Sequence, residues 1–332
     1  MKLAVSICGY HFAGASEMEE IIMKKTNKLV SLGLTAVMSV MLMAGCSKTD
    51  ASPAGDVASS GDVAPPASEE SEKEGTVPSD DGLATDVQAI VDRGVLKVGV
   101  KNAVIGFGYE DPLTGDYSGL EISLAEKIAE KLGVDVEFTA VTAATRTELL
   151  DSGDIDCVLA TFTITDERKQ TWDFTTPYFT DHVGVLVENA SGITNLAGLV
   201  DKTVGVSSGS TSAKSLVSAM IDEGLILGGS FDAETFDPAT WTDGIKFQQY
   251  DDYPTISTGL SAGEVDAFCV DKSILAIYNT DSRSYIEEEF APQEYGIATT
   301  KGSGLSAYCE EQVKNWLADG TIDALIEENG LD

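Results

Sequence analysis

Residues 150–156 read Leu150-Asp-Ser-Gly-Asp-Ile-Asp156, and the apolar run Cys157-Val-Leu-Ala160 follows directly. The pattern returns as Leu260-Ser-Ala-Gly-Glu-Val-Asp266, ahead of a second apolar run that ends at Val270. Val98-Gly-Val100 is similarly echoed by Val204-Gly-Val206. Both pairs are separated by a little over a hundred residues, so the sequence predicts two lobes of similar build.

Around these repeats, strand patterns alternate with helix patterns. Leu96–Val100 and Asp156–Ala160 read as buried strands, and 119–132 reads as a helix because apolar residues recur every fourth position from Leu120 to Leu132. Such alternation indicates βαβ units. We therefore predict an α/β protein in which each lobe is a mainly parallel sheet flanked by helices.

The lobe boundaries follow from two short apolar segments, Val183–Val187 and Tyr295–Ala298, which we interpret as hinge crossovers. Lobe 1 then comprises residues 83–182 plus 297–332, and lobe 2 comprises residues 183–296. An insertion interrupts lobe 2 near residues 224–246. Its acids Asp232, Glu234, Asp237 and Asp243 could bind calcium, but a solvated acidic loop is the favoured interpretation.

Composition excludes several function classes. The 332 residues include 55 Asp and Glu against 21 Lys and Arg, a net charge of −34, which disfavours binding to nucleic acid or anionic lipid headgroups. With only two histidines, His11 and His182, we expect no metal site and no cofactor. The spacing of Cys157, Cys269 and Cys309 matches no known motif, so we predict neither a disulfide framework nor a zinc site. Cys157 and Cys269 lie in apolar runs and are interpreted as small core residues.

The N-terminal region predicts export. Residues 23–45 combine a basic start with an apolar run, which is typical of a signal peptide, although a signal-anchor helix is an alternative. Leu42-Met-Ala-Gly-Cys46 resembles a bacterial lipoprotein box, which implies cleavage before Cys46 and its lipidation. Residues 46–82 then form a disordered acidic tether on the outer face of the cytoplasmic membrane, and residues 1–22 are interpreted as a mis-called start.

Candidate binding residues follow the predicted strands, where open parallel sheets bind ligands. Four such strand ends are Lys101-Asn102, Thr161–Thr163, Ser207–Ser212 and Asp271, two from each lobe. We expect them to meet in the cleft between the lobes.

The residues at these ends match the groups of an α-amino acid. Arg168, in a short helix that Thr165 caps, offers a bidentate fork to a carboxylate. The Gly/Ser loop 207–212 before a helix offers backbone amides to an anion. Asp271 can accept an ammonium group, and Lys101 and Arg146 supply two further cations.

The sequence resembles the polar-amino-acid solute-binding proteins of ABC importers over about residues 90–330. The motifs that carry this resemblance are Leu96-Lys-Val-Gly-Val100, Gly119-Leu-Glu-Ile-Ser-Leu-Ala125, Thr163-Ile-Thr-Asp-Glu-Arg168, Phe174-Thr-Thr-Pro-Tyr178, Gly263-Glu-Val-Asp266, Val270-Asp271 and Tyr295-Gly-Ile297. The resemblance implies a two-lobed, type II periplasmic-binding-protein fold. It also implies a monomer that works with an ABC permease and ATPase.

The resemblance also implies residue roles. Arg168 clamps the α-carboxylate, helped by amides near Thr163 and Ser210-Thr211. Asp271 and the strand end at Thr161 and Thr163 take the α-ammonium. The similarity is greatest to aspartate- and glutamate-binding members, in which Lys101 and Arg146 would meet the side-chain carboxylate.

Three alternatives stay open at this point. The ligand could be another polar amino acid such as glutamine. A few proteins on this fold are cyclohexadienyl dehydratases, so an enzyme is the alternative class. A tethered binding lobe can also serve as an adhesin or a sensory receptor.

Overall fold

The structure is a computed structural model that describes residues 82–331. The predicted start, signal peptide, lipidated Cys46 and tether therefore lie outside the described residues, apart from Gly82. Within residues 82–331, none of the helices is long and apolar enough to cross a membrane.

The described elements alternate between strand and helix along most of the chain. In chain order they are α1 (Thr85–Arg93), β1 (Val95–Val100), β2 (Ala103–Val104), β3 (Gly108–Glu110), β4 (Tyr117–Ser118), α2 (Leu120–Leu132), β5 (Asp135–Ala140), α3 (Thr145–Ser152), β6 (Cys157–Leu159), α4 (Arg168–Thr171), β7 (Trp172–Phe174), β8 (Phe179–Glu188), β9 (Thr203–Ser207), α5 (Ser212–Asp222), β10 (Lys246–Tyr250), α6 (Tyr253–Ala262), β11 (Ala267–Asp271), α7 (Lys272–Leu275), β12 (Arg283–Tyr285), β13 (Phe290–Tyr295), β14 (Ala298–Thr300), α8 (Gly304–Ala318) and α9 (Thr321–Glu328).

Two sheets form the centres of the two predicted lobes. The first has the strand order β5-β1-β6-β14-β7, and the second has the order β10-β9-β11-β8-β12 with β13 also paired to β8. The strands of the βαβ units, β1 with β5 and β6 and β9 with β10 and β11, are parallel. Strands β7, β8, β12, β13 and β14 add antiparallel pairs. The fold is thus the expected two-lobed α/β arrangement, with sheets that are mixed at one side.

The repeated sequence has the same structure in both lobes. Gly153 ends α3 and Gly263 ends α6, both in the left-handed conformation that glycine adopts without a Cβ penalty. Asp156 then accepts the backbone N–H of Lys97 at 2.8 Å, and Asp266 accepts that of Thr203 at 2.9 Å. Asp156 therefore ties the entry of β6 to β1, and Asp266 ties the entry of β11 to β9.

Strands β8 and β13 form the connection between the sheets. They pair antiparallel from Phe179 opposite Tyr295 to Phe290 opposite Val183. Phe107 packs edge-on against Phe179 and Tyr295, with ring centroids 5.0 and 5.6 Å apart, so the base of this connection is buried. The chain re-enters the first sheet at β14, and the lobe boundaries given above stay a prediction.

The cores contain the residues that the patterns indicate. In α2, Leu120, Leu124, Ile128 and Leu132 are all buried. Cys157, Cys269 and Cys309 are buried free thiols, which confirms that Cys157 and Cys269 are core residues. Burial raises the pKa of each of these thiols, so they stay protonated and unreactive at neutral pH.

Candidate functional site

A small cavity lies where the loops that follow β6, β9 and β11 meet. Residues from both predicted lobes line it: Ala143, Arg146, Thr161, Thr163, Ser210, Thr211, Ser212, Tyr253, Val270 and Asp271. The cavity has room for about one water molecule. A ligand larger than a water molecule does not fit this cavity as it stands.

The structure brings the predicted ligand-binding residues together. Six of them line this cavity: Arg146, Thr161, Thr163, Ser210, Thr211 and Asp271. Lys101 lines an adjoining cavity beside Tyr253, and Arg168 lines a larger one that shares Ser210 and Thr211. Their roles toward a ligand stay predictions.

Arg168 begins α4 and reaches across the contact between the lobes. Its backbone N–H donates to Thr165 Oγ1 at 3.1 Å, the bond that the predicted cap requires. Nη1 donates to Thr163 O at 2.7 Å, and Nη2 donates to Gly209 O at 3.1 Å. Burial lowers the pKa of Arg168 to about 9, which leaves the guanidinium charged at neutral pH.

Arg146 has a supporting role that the sequence did not indicate. Its Nη1 donates to the carbonyls of Ala160 at 2.8 Å and Thr161 at 3.2 Å, and its guanidinium lies 3.9 Å from the centre of the Phe162 ring. Thr161 has a φ of 44°, a left-handed conformation that is strained for a β-branched residue. Arg146 therefore stabilises the loop as well as lining the cavity.

Lys101 and Asp271 are two buried charges at strand ends. Lys101 Nζ lies 5.3 Å from the centre of the Tyr253 ring, and burial together with the nearby Arg146 lowers the pKa of Lys101 to about 7. Asp271 accepts a 2.5 Å hydrogen bond from the Tyr295 hydroxyl. Burial raises the pKa of Asp271 to about 7 despite that bond. Both groups are thus poised to change charge near neutrality.

Polar atoms without a partner concentrate at this cavity. Among the described residues, buried side-chain atoms that lack a hydrogen bond are Glu121 Oε2, Arg146 Nε, Thr161 Oγ1, Ser210 Oγ and Ser212 Oγ. Four of these belong to residues that line the cavity. Because an unpaired buried polar atom is costly, this grouping indicates a site that a polar ligand completes.

Four residues of the site were not predicted from the sequence. Gln293 Oε1 accepts from Thr163 Oγ1 at 2.9 Å and from Thr211 Oγ1 at 2.8 Å, so it joins the two lobes. Glu121, Tyr253 and Tyr295 surround the buried charges. Glu121 lies within the Gly119–Ala125 motif quoted above, in the first turn of α2, whereas nothing local marks Gln293.

The predicted insertion contributes to the larger cavity beside Arg168. Ala233, Glu234, Phe236 and Pro238 line it opposite Trp172 of the first lobe. The insertion acids instead cap turns: Asp232, Asp237 and Asp243 accept the backbone N–H groups of Glu234, Ala239 and Gly228. Within residues 82–331, no group of three or more His, Cys, Asp or Glu is placed to hold a metal ion.

The comparison with known families decides the class of protein. The sequence profile of the bacterial extracellular solute-binding proteins, family 3, matches residues 96–330. The chain belongs to this family. This membership confirms the resemblance to the polar-amino-acid solute-binding proteins of ABC importers, and it agrees with a location outside the cytoplasm.

Individual relatives of this family-3 protein bind different amino acids. GlnH of Bacillus subtilis, an ABC transporter glutamine-binding protein, is 29% identical over 309 residues, which cover 91% of this chain and 96% of GlnH. The glutamate-binding protein GluB of Corynebacterium glutamicum is 27% identical over 261 residues, 73% of this chain and 80% of GluB. The solved structure of an ancestral arginine-binding protein bound to arginine has a TM-score of 0.59 at 32% identity, covering 71% of this chain and 98% of that one.

Proposed function

We propose that this family-3 protein captures an acidic amino acid, glutamate or aspartate, between its lobes and delivers it to an ABC importer. The observation that carries this proposal is the pair of buried cations, Lys101 and Arg146, beside the cavity. Arg168 and Asp271 already provide one partner each for the α-carboxylate and the α-ammonium that every amino acid carries. Lys101 and Arg146 are additional to these two residues. A ligand with a negative side chain balances the additional positive charge.

The remaining contacts support recognition of an α-amino acid. In this assignment Arg168 and the amides near Ser210 and Thr211 hold the α-carboxylate. Asp271, with the strand end at Thr161 and Thr163, receives the α-ammonium. The unpartnered oxygen atoms of Thr161 and Ser210 give the ligand hydrogen-bond partners at both ends.

The proposal includes the path from the membrane to the transporter. The signal peptide over residues 23–45 exports the chain, and lipid on Cys46 anchors it to the outer face of the cytoplasmic membrane. The tether over residues 46–82 keeps the binding lobes clear of the bilayer. The protein then acts as a monomer that docks an ABC permease and its ATPase.

Glutamine is the second candidate ligand, and one observation favours it. The pKa of Lys101 is lowered to about 7, so a large share of this side chain is neutral at physiological pH. A neutral amine can hydrogen-bond a side-chain amide. The similarity to GlnH over most of the chain supports the same reading.

Calorimetric titration of the purified protein with the twenty standard amino acids tests the proposal. Glutamate or aspartate should bind more tightly than glutamine and asparagine at pH 6.5. Tighter binding of glutamine at that pH would contradict the acidic ligand and identify glutamine as the ligand. Turnover of prephenate or arogenate would instead show a dehydratase. GlnH and GluB are named as binding proteins, whereas one solved neighbour at 28% identity is an ancestral amino acid-binding protein described as a precursor of cyclohexadienyl dehydratase.

We expect the preference for acids to fall as the pH rises. A ligand carboxylate stabilises the charged form of Lys101, so its pKa is higher in the complex than in the free protein, where it is about 7. Between those two values, glutamate binding takes up a proton and its affinity falls with pH, by at most about tenfold per unit. The glutamate-to-glutamine affinity ratio should therefore drop by at least roughly tenfold from pH 6 to pH 9.

The ratio isolates Lys101 because Asp271, whose pKa is also about 7, meets both ligands alike. Lys101→Met should give a ratio that is independent of pH. A constant ratio in the parent protein would contradict the assignment of Lys101 to the ligand side chain.

Gly209→Ala should weaken the binding of every ligand about tenfold by hindering closure, because overpacking costs roughly 1–3 kcal/mol and about 1.4 kcal/mol is tenfold in Kd. Gly209 has a φ of 75°, and a Cβ there would lie 2.8 Å from Ala143 O and 3.0 Å from Ala144 Cα in the opposite lobe. Small-angle scattering should show that saturating ligand compacts the parent more than the variant. Gly192→Ala is the control, since Gly192 has a φ of 70° with open space around its Cβ position. Equal compaction of parent and Gly209→Ala would contradict the closure.

A further inference from the structure

Glu121 is a buried carboxylate that has no role in the proposed ligand contacts. It lies in the first turn of α2 and is fully buried. Its Oε1 accepts two hydrogen bonds, from Thr161 N at 2.5 Å and from the Tyr178 hydroxyl at 2.5 Å, and its Oε2 has no partner. Two short bonds to one oxygen are typical of an ionised acceptor.

Glu121 shares Thr161 as a hydrogen-bond partner with Arg146, and it interacts electrostatically with Lys101. Burial raises the pKa of Glu121, and its two hydrogen bonds together with the charges of Lys101 and Arg146 act in the opposite direction, toward the ionised form. Arg146 holds the carbonyl of Thr161 while Glu121 holds the N–H of the same residue. The strained strand end at Thr161 is therefore fixed from both sides by opposite charges.

The buried charges can be paired one by one. With an amino acid bound, Arg168 pairs with the α-carboxylate and Asp271 with the α-ammonium. Lys101, Arg146 and Glu121 remain, and together they carry a single positive charge. Asp181 lies behind Tyr295, where Ser273 and the backbone N–H of His182 donate hydrogen bonds to it, and its charge acts on Asp271. Without Glu121, Lys101 and Arg146 would present two unbalanced positive charges to the ligand side chain.

We propose that Glu121 is a positioning residue that sets the selectivity between acidic amino acids and their amides, by neutralising one of the two cations that face the ligand side chain. The inference rests on the proposed function, because it assigns Lys101 and Arg146 to that side chain. Glu121 acts through these cations and does not touch the ligand.

Glu121→Gln tests the inference, because the amide keeps the shape and one acceptor oxygen for Thr161 N and the Tyr178 hydroxyl. Calorimetry at pH 6.5 should show a glutamate-to-glutamine affinity ratio that is roughly tenfold or more above that of the parent, since one further positive charge is left unbalanced. Glu310→Gln is the matched control. Glu310 also accepts a backbone N–H and a hydroxyl, both from Thr176, but it does not line the cavity, so the ratio should not change.

A second variant tests the same charge balance with Glu121 intact. Lys101→Met leaves Arg146 and Glu121, whose charges cancel, so glutamine should then bind at least as well as glutamate. A Lys101→Met protein that still prefers glutamate overturns the role of Glu121, and so does a Glu121→Gln protein with the parent's ratio. Failure of the proposed function looks different, because the parent itself would then show no preference for acids.

Discussion

Replacing Arg168 by methionine is expected to weaken the binding of every amino acid at least about 100-fold. All amino acids share the α-carboxylate, and Arg168 is assigned two charge-assisted hydrogen bonds to it. Such bonds contribute roughly 1.5–3 kcal/mol each, so losing both exceeds two orders of magnitude in Kd. Titration with glutamate, aspartate, glutamine and asparagine measures the effect.

The control for Arg168→Met must separate ligand binding from lobe contact, because Nη2 also donates to Gly209 O in the other lobe. Lys214→Met is suited to this purpose. Lys214 Nζ joins the lobes through Glu167 at 2.9 Å; it lines the larger cavity that Arg168 also lines, but not the small cavity. An exposed ion pair of this kind is worth at most about 1 kcal/mol, so the loss should stay below about fivefold. Equal losses in the two variants would contradict a carboxylate clamp at Arg168.

Lys101→Met is expected to weaken glutamate and aspartate binding by about 10- to 150-fold. The side chain is buried, and its assigned bond to the ligand carboxylate is a bond between charged groups worth roughly 1.5–3 kcal/mol. Glutamine and asparagine should lose far less, because a neutral amide leaves no charge unpaired. Calorimetry with the acid and amide pairs measures this difference directly.

The matched control for Lys101→Met is Lys97→Met in β1, the strand that Lys101 directly follows, since Lys97 does not line the cavities around the site. Arg146→Met is the less selective variant. It removes the bonds to the carbonyls of Ala160 and Thr161, so we expect it to weaken all ligands in addition to its effect on acids. If both Lys101→Met and Arg146→Met kept the parent's acid-over-amide ratio, the acidic ligand would be wrong while the family membership stood.

Much of the fold was predictable because its signals are local. The helix over residues 120–132 is marked by an apolar residue on every fourth position, and it ends at Gly133 in the left-handed conformation. The repeated Gly-acid-apolar-Asp pattern marks the entry into β6 and β11 in both lobes. The antiparallel pairing of β14 with β6 was not predictable, because it joins Ala298 to Val158 across most of the folded chain.

The candidate site was predictable only in part. Strand ends are readable from the pattern of apolar and polar residues, so Lys101, Thr161 and Asp271 could be assigned to one edge from the sequence alone. Glu121 and Gln293 could not, because their bonds to Thr161 and Thr163 span 40 and 130 residues of sequence. No local pattern distinguishes an exposed polar residue from one that a distant segment buries.

The sequence by itself therefore determined the two-lobed α/β architecture, the strand ends that carry polar residues and the family. These depend on periodicity, glycine positions and motifs, which act over a few residues. Only the tertiary structure decided which charges are buried together. It placed Glu121 among the cations and gave Arg146 its second role in holding Thr161. The reason is physical: desolvation and charge pairing depend on the groups that folding brings near, not on the neighbours along the chain.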